Sequence, residues 1–187
     1  MVQAPLQKLS LDSFLELPET KPASEYIDGQ IIQKPMPKGK HSRLQGKLTL
    51  FINGALEAEK IAYAFPELRC TFGGSSIVPD VSVFLWQNIP TDQNGDVADI
   101  FNRHPDWMIE VLSPGQSQMK VTKKVLRCLG YGTQMGWLID PKERSLVAYP
   151  LGEQPRYLEE EQDALPLPQF ARSLHLTLGD VLAWLRL

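Results

Sequence analysis

Two carboxylates lie where a folding chain tolerates them least. Asp80 is embedded in IVPDVSVFLW (77–86) and Glu110 in DWMIEVL (106–112), runs rich in apolar and β-branched residues that read as strands. DWMIEVL is stopped by Ser113-Pro114-Gly115, as expected of a central strand ending at a sheet edge. An unpaired carboxylate buried in such a strand costs several kcal/mol, so each must meet a positive charge. Two arrangements satisfy that demand. Each acid can have its own Arg or Lys, or both can share a divalent cation, and for two acids on strands the shared ion is the economical answer. Carboxylate oxygens suit Mg²⁺, which one or two of them hold together with waters and substrate phosphates.

The elements around these strands follow from periodicity and turn chemistry. Ser10 before LDSFLEL reads as the N-cap of a short helix ending near Pro18. In EYIDGQII the pair Asp28-Gly29 separates two apolar-rich arms and predicts a tight hairpin with Glu25 at its mouth. Leu44, Leu48, Phe51, Ile52 and Ala55 recur at helical spacing and predict a helix from His41 to Lys60. IAYAF (61–65) suits a strand, and a second helix is expected from about Gln116 to Leu129. GWLID and SLVAY flank the turn Pro141–Arg144 as another hairpin, 153–169 reads as a surface excursion, and Leu176–Leu187 as a closing helix. The order predicts an α/β fold, a mixed sheet covered by helices.

On the second helix Val121, Val125, Cys128 and Leu129 make the apolar stripe, and of its four basic residues only Lys124 falls in phase with it. Lys124 is thus placed at the rim of the buried face, either aiming its ammonium toward the strand ends or snorkelling over apolar surface. Charge also comes in blocks. Lys34, Lys38, Lys40, Arg43 and Lys47 lie in a stretch without Asp or Glu, as do Lys120, Lys123, Lys124 and Arg127. Should these segments meet, they form a positive surface fit for a polyanion.

Composition bounds the rest. The 187 residues suit one domain, 1–187, and a net charge of −3 excludes a chain that wraps nucleic acid by bulk basicity. MVQAPLQKLS lacks a leader pattern and no apolar run reaches a membrane span, which predicts a cytoplasmic protein without membrane contact. Cys70 and Cys128 are far apart and read as reduced, half-buried thiols. His41 reads as a helix-start residue with a metal or proton-shuttle role as the alternative; His104 and His175 have no partner pattern. No serine elbow, Walker loop or zinc spacing is present.

Taken together, Pro79-Asp80, Ile109-Glu110-Val111-Leu112, Ser113-Pro114, a lysine-bearing helix and Gly136-Trp137-Leu138-Ile139-Asp140-Pro141 resemble the bacterial putative restriction endonuclease family of the PD-(D/E)XK nuclease superfamily. The likeness reaches upstream through Glu25–Gly29, His41-Ser42 and Pro66-Glu67-Leu68-Arg69, covering about 10–187. The resemblance implies a restriction-endonuclease-like α/β core, its mixed sheet flanked by helices with an N-terminal helix and hairpin. It also implies metal-dependent hydrolysis of DNA phosphodiesters with Mg²⁺ or Mn²⁺. Asp80 and Glu110 match the metal-binding acids, the Leu112 carbonyl a further ligand, and Glu25 the family's upstream acid. His41 and Arg69 match accessory positions. The lysine of the superfamily's E-x-K element is replaced here by Leu112. As in the family, a lysine of the following helix stands in, Lys124 in register with Lys120 one turn earlier as the alternative. Competing readings are a nuclease-like module that binds DNA without cutting it and a metal-dependent enzyme for small phosphorylated compounds. A homodimer would suit the handling of two strands, although nothing in the sequence requires one.

Overall fold

The computed structural model describes residues 9–187; the leader reading of the first ten residues falls mostly outside that range. The elements in chain order are α1 (Leu11–Leu15), β1 (Ser24–Ile27), β2 (Gln30–Gln33), α2 (Gly39–Leu56), β3 (Ala62–Pro66), β4 (Cys70–Phe72), β5 (Ser75–Ile77) and β6 (Val81–Leu85). They continue with β7 (Trp107–Val111), α3 (Gln118–Gly130), β8 (Met135–Asp140), β9 (Ser145–Pro150), β10 (Arg156–Leu158) and α4 (Leu178–Ala183). A six-stranded mixed sheet runs β10-β9-β8-β7-β6-β3, and a four-stranded antiparallel sheet runs β2-β1-β5-β4. Within the large sheet only β7 and β8 pair in parallel, joined by α3 as a crossover helix. The expected mixed sheet flanked by helices is therefore present.

The alternation of side chains along β7 builds two cores. Trp107, Ile109 and Val111 face one side, where Leu44, Leu48, Ile52 and Leu56 of α2 pack with Leu178, Val181 and Leu182 of α4. Met108 faces the other side, with Val121, Val125 and Cys128 of α3 and with Ile27, Cys70 and Ile77 of the small sheet. Glu110 has the parity of Met108, so its side chain projects toward α3.

Several expectations shift in detail. The run 77–86 is not one strand: Pro79 breaks it, β5 joins the small sheet, and Asp80 sits immediately before β6 rather than inside it. β4 was not expected, because Cys70–Phe72 is too short to show alternation. α2 ends at Leu56 rather than Lys60, where the chain turns through a left-handed residue (φ 51°). Its buried row continues to Leu56, leaving Ala55 exposed, since steps of four residues rotate the stripe slowly around the axis. The Asp28-Gly29 turn takes positive φ at both residues (53° and 77°), as a type I′ hairpin requires. The excursion 153–169 contains β10, and α4 is shorter than 176–187. Both thiols are fully buried rather than half-buried. Among the described residues no helix is long and apolar enough to cross a membrane.

Candidate functional site

The antiparallel register of β6 and β7 pairs Val81 with Ile109, so one further step sets Asp80 opposite Glu110. Asp80 Oδ2 accepts the Val111 backbone N–H at 2.7 Å, fixing the carboxylate against the end of β7. Its other oxygen, Oδ1, lies 2.6 Å from Lys34 Nζ and 3.3 Å from His41 Nε2. Glu110 Oε1 lies 2.8 Å from Lys124 Nζ, and that ammonium also donates to Glu25 Oε1 at 2.8 Å. Glu25 Oε1 accepts a second bond from the Val78 N–H at 2.8 Å. All these carboxylates are buried, as are His41 and Lys124. Asp80 thus has Lys34 while Glu110 shares Lys124 with Glu25, so Asp80 and Glu110 are answered by separate lysines, the alternative that the sequence left to a shared ion.

The two acids titrate in opposite directions. Burial alone would raise Asp80, but the His41 hydrogen bond and the Lys34 charge outweigh it and hold the carboxyl well below its ordinary value. For Glu110 burial prevails over the pull of Lys124, and the nearby charge of Asp80 adds to it, pushing the carboxyl up to about 7. Burial would depress Lys124, but Glu110 and Glu25 more than offset it and hold the ammonium protonated. His41 is raised: burial opposes its charge, and the Asp80 carboxylate prevails.

Glu110 Oε1 meets no well-aligned hydrogen-bond donor; its ion-pair partner is Lys124 Nζ at 2.8 Å. A carboxylate oxygen has two lone pairs, so the acids can also serve a cation. The donor set is two acids, with the Leu112 carbonyl that the resemblance nominates. Among the described residues no group of three or more His, Cys, Asp and Glu forms a metal centre. That set suits Mg²⁺ or Mn²⁺, which keeps waters and takes phosphate oxygens, and not a structural zinc.

Beside these groups lies a cleft of about 360 Å³ lined by residues including Glu25, Ile32, Lys34, Gln116, Lys120 and Lys124. A second recess of about 460 Å³ shares Pro114, Gly115 and Gln116 with it and adds Lys38, Lys40, His41 and Lys142. The two basic segments therefore meet. Much of their charge is internally matched: Lys123 and Arg127 both grip Asp28. Among the described residues Lys38, Lys40, Lys47 and Lys120 have no ion-pair partner.

The structure brings together Asp80, Glu110, Glu25, Lys124 and His41, with exposed Lys120 on the cleft wall. Leu112 is buried and lines the second recess; its N–H donates to the Ile139 carbonyl. Arg69 is elsewhere engaged: it makes a two-point ion pair with Glu19, bonds Ser76 and the Ser24 carbonyl, and stacks over Phe14. Its side chain braces α1 against the small sheet, and its bond to the Ser24 carbonyl reaches the residue next to Glu25. Two further residues contribute. Ser113, in sequence a strand stop, meets His41 Nδ1 with its hydroxyl at 3.2 Å. Lys34, in sequence one of a basic block, meets Asp80. The hairpin carried a signal for it, because a two-residue turn pairs Glu25 with Ile32 and puts Lys34 on the same face as Glu25.

The chain as a whole has known relatives. Residues 11–179 match the model of the Uma2 family, described as putative restriction endonuclease. The chain belongs to this family. Among solved structures, a putative nuclease belonging to DUF820 from Anabaena variabilis is 55% identical with a TM-score of 0.92, covering 94% of this chain and 98% of that one. No curated protein matches. The Uma2 chain thus places its buried acids and lysines on a fold shared with a solved putative nuclease.

Proposed function

We propose that this Uma2 protein is a metal-dependent endonuclease that hydrolyses DNA phosphodiester bonds. The observation that carries the reading is the convergence of Asp80 and Glu110, set opposite each other on adjoining strands. Asp80, Glu110 and the Leu112 carbonyl would hold Mg²⁺ or Mn²⁺. Such an ion supplies Lewis acidity toward a phosphate oxygen and lowers the pKa of bound water. The chain's own residues do the rest. The Val111 N–H fixes Asp80, and His41, itself bonded to Ser113, steadies its other oxygen. Lys124 remains an ammonium, so it acts as a fixed positive charge and hydrogen-bond donor toward water or a phosphate oxygen, not as a base. Glu25 positions that ammonium. Lys120, Lys38 and Lys40 line the approach as contacts for the DNA backbone.

Nicking of supercoiled plasmid in Mg²⁺ or Mn²⁺ tests the reading. Wild type converts plasmid to open-circular product, whereas Asp80→Asn and Glu110→Gln each lose at least about a hundredfold in rate while staying folded. Unchanged activity in either variant would remove the assignment. A second reading, a module that holds DNA without cutting it, draws on the fact that both acids already have ammonium partners. It predicts salt-sensitive plasmid retention with no nicked product in either metal.

A further inference from the structure

The two lysines that answer the buried acids are not held alike. Lys124 is buried and gripped by two carboxylates, Glu25 and Glu110. Lys34 has one carboxylate, Asp80, and one backbone carbonyl, Val78 O at 2.8 Å, and like Lys124 it lines the cleft. The two Asp80 oxygens also differ. Oδ2 accepts the Val111 N–H, whereas Oδ1 faces Lys34 Nζ at 2.6 Å and His41 Nε2 at 3.3 Å, so a cation that takes Oδ1 meets Lys34 there.

We propose that Lys34 is a displaceable counter-ion for Asp80: its ammonium and a divalent cation compete for Oδ1, so that cation binding and release of Lys34 into the cleft are a single event. The inference rests on the metal-dependent reading above and assigns a positioning role that the sequence did not suggest. Charge balance supports exchange over coexistence. Three buried carboxylates, Glu25, Asp80 and Glu110, face two ammonium groups, Lys34 and Lys124. Counting these five groups in their charged forms, exchanging Lys34 for a dication makes the set neutral. Adding a dication while Lys34 stays leaves a buried net positive charge, which the low-dielectric interior disfavours. The released ammonium would lie on the cleft wall beside Lys120, available to a phosphate. In this scheme Lys34 keeps Asp80 charged and oriented until the ion arrives.

Mn²⁺ binding to the full chain, followed by electron paramagnetic resonance of free Mn²⁺, tests the competition. Lys34→Met should bind Mn²⁺ about tenfold tighter than wild type, and Lys34→Arg, which keeps the charge, should not. A measurement on the unaltered chain covers the event that Lys34→Met fails to fold: acylation of Lys34, read by peptide mass spectrometry, should rise several-fold when Mn²⁺ is added. If wild type binds Mn²⁺ while Lys34 stays equally protected, or folded Lys34→Met binds no tighter, the competition is overturned and the metal-dependent reading stands. If wild type binds no Mn²⁺, or Asp80→Asn binds it as well as wild type does, both fall.

Discussion

Lys124 joins three parts of the chain: Glu25 from the N-terminal hairpin, Glu110 from the central strand, and its own helix, with Asp80 adding to the field around it. Removing one partner of a buried ion pair exposes the desolvation cost of the other, and here two carboxylates would be left. Lys124→Met should therefore lose about 3–5 kcal/mol in urea denaturation. Glu25→Gln in the same chain should recover part of that loss, because one of the stranded charges is gone. A Lys124→Met chain as stable as wild type would mean that the ion pairs contribute nothing net. The phase of the helix already singled this residue out, yet it left open whether the ammonium pointed inward or snorkelled. That choice depends on Glu25, ninety-nine positions away in sequence.

At the scale of elements, the site depends on how closely α3 seats on the sheet. Gly136 in β8 lies directly beneath it: a Cβ there would come within 2.3 Å of Val125 Cγ1. Gly136→Ala should consequently cost about 1–3 kcal/mol by lifting α3, and should weaken plasmid nicking along with it. Gly54 in α2 provides the contrast. It has open space around its missing Cβ, so Gly54→Ala should raise stability by about 0.5–1 kcal/mol through helix propensity, with nicking unchanged. Thermal and urea melts of the two variants, moving in opposite directions, check both statements. The turn Asp28-Gly29 and the amphipathic rows of α2 and α3 were legible because local sterics and helical period dictate them. The break at Pro79 was not, since only pairing with β1 and β4 draws β5 into a separate sheet.

Across the whole molecule two cores lie on opposite faces of one sheet, and one of them encloses both thiols. Cys70 and Cys128 lie in the core beneath α3, and burial pushes the Cys70 thiol up to about 12 and Cys128 higher still. Raising the pH from 7 to 9 should therefore create almost no thiolate in the folded chain. An aromatic disulfide reagent should titrate neither cysteine in native protein at pH 8 and both in denaturant. Rapid native reaction would show that the face carrying Glu110 and Lys124 opens locally. Because that core and the site share α3 and β7, thiol protection is also an independent check that site variants remain folded.

The sequence by itself determined that Asp80 and Glu110 needed partners, that Lys124 lay in phase with a buried stripe, and that a tight hairpin carried Glu25. Each follows from local physics: desolvation of charge, helical period and turn geometry. Only the tertiary structure decided which cation answers which acid, that Arg69 braces α1, and that Lys34 and Ser113 belong to the site. Those outcomes depend on contacts between residues distant along the chain, such as Lys34 with Asp80 and His41 with Ser113, and they exist only once two sheets and three helices have packed.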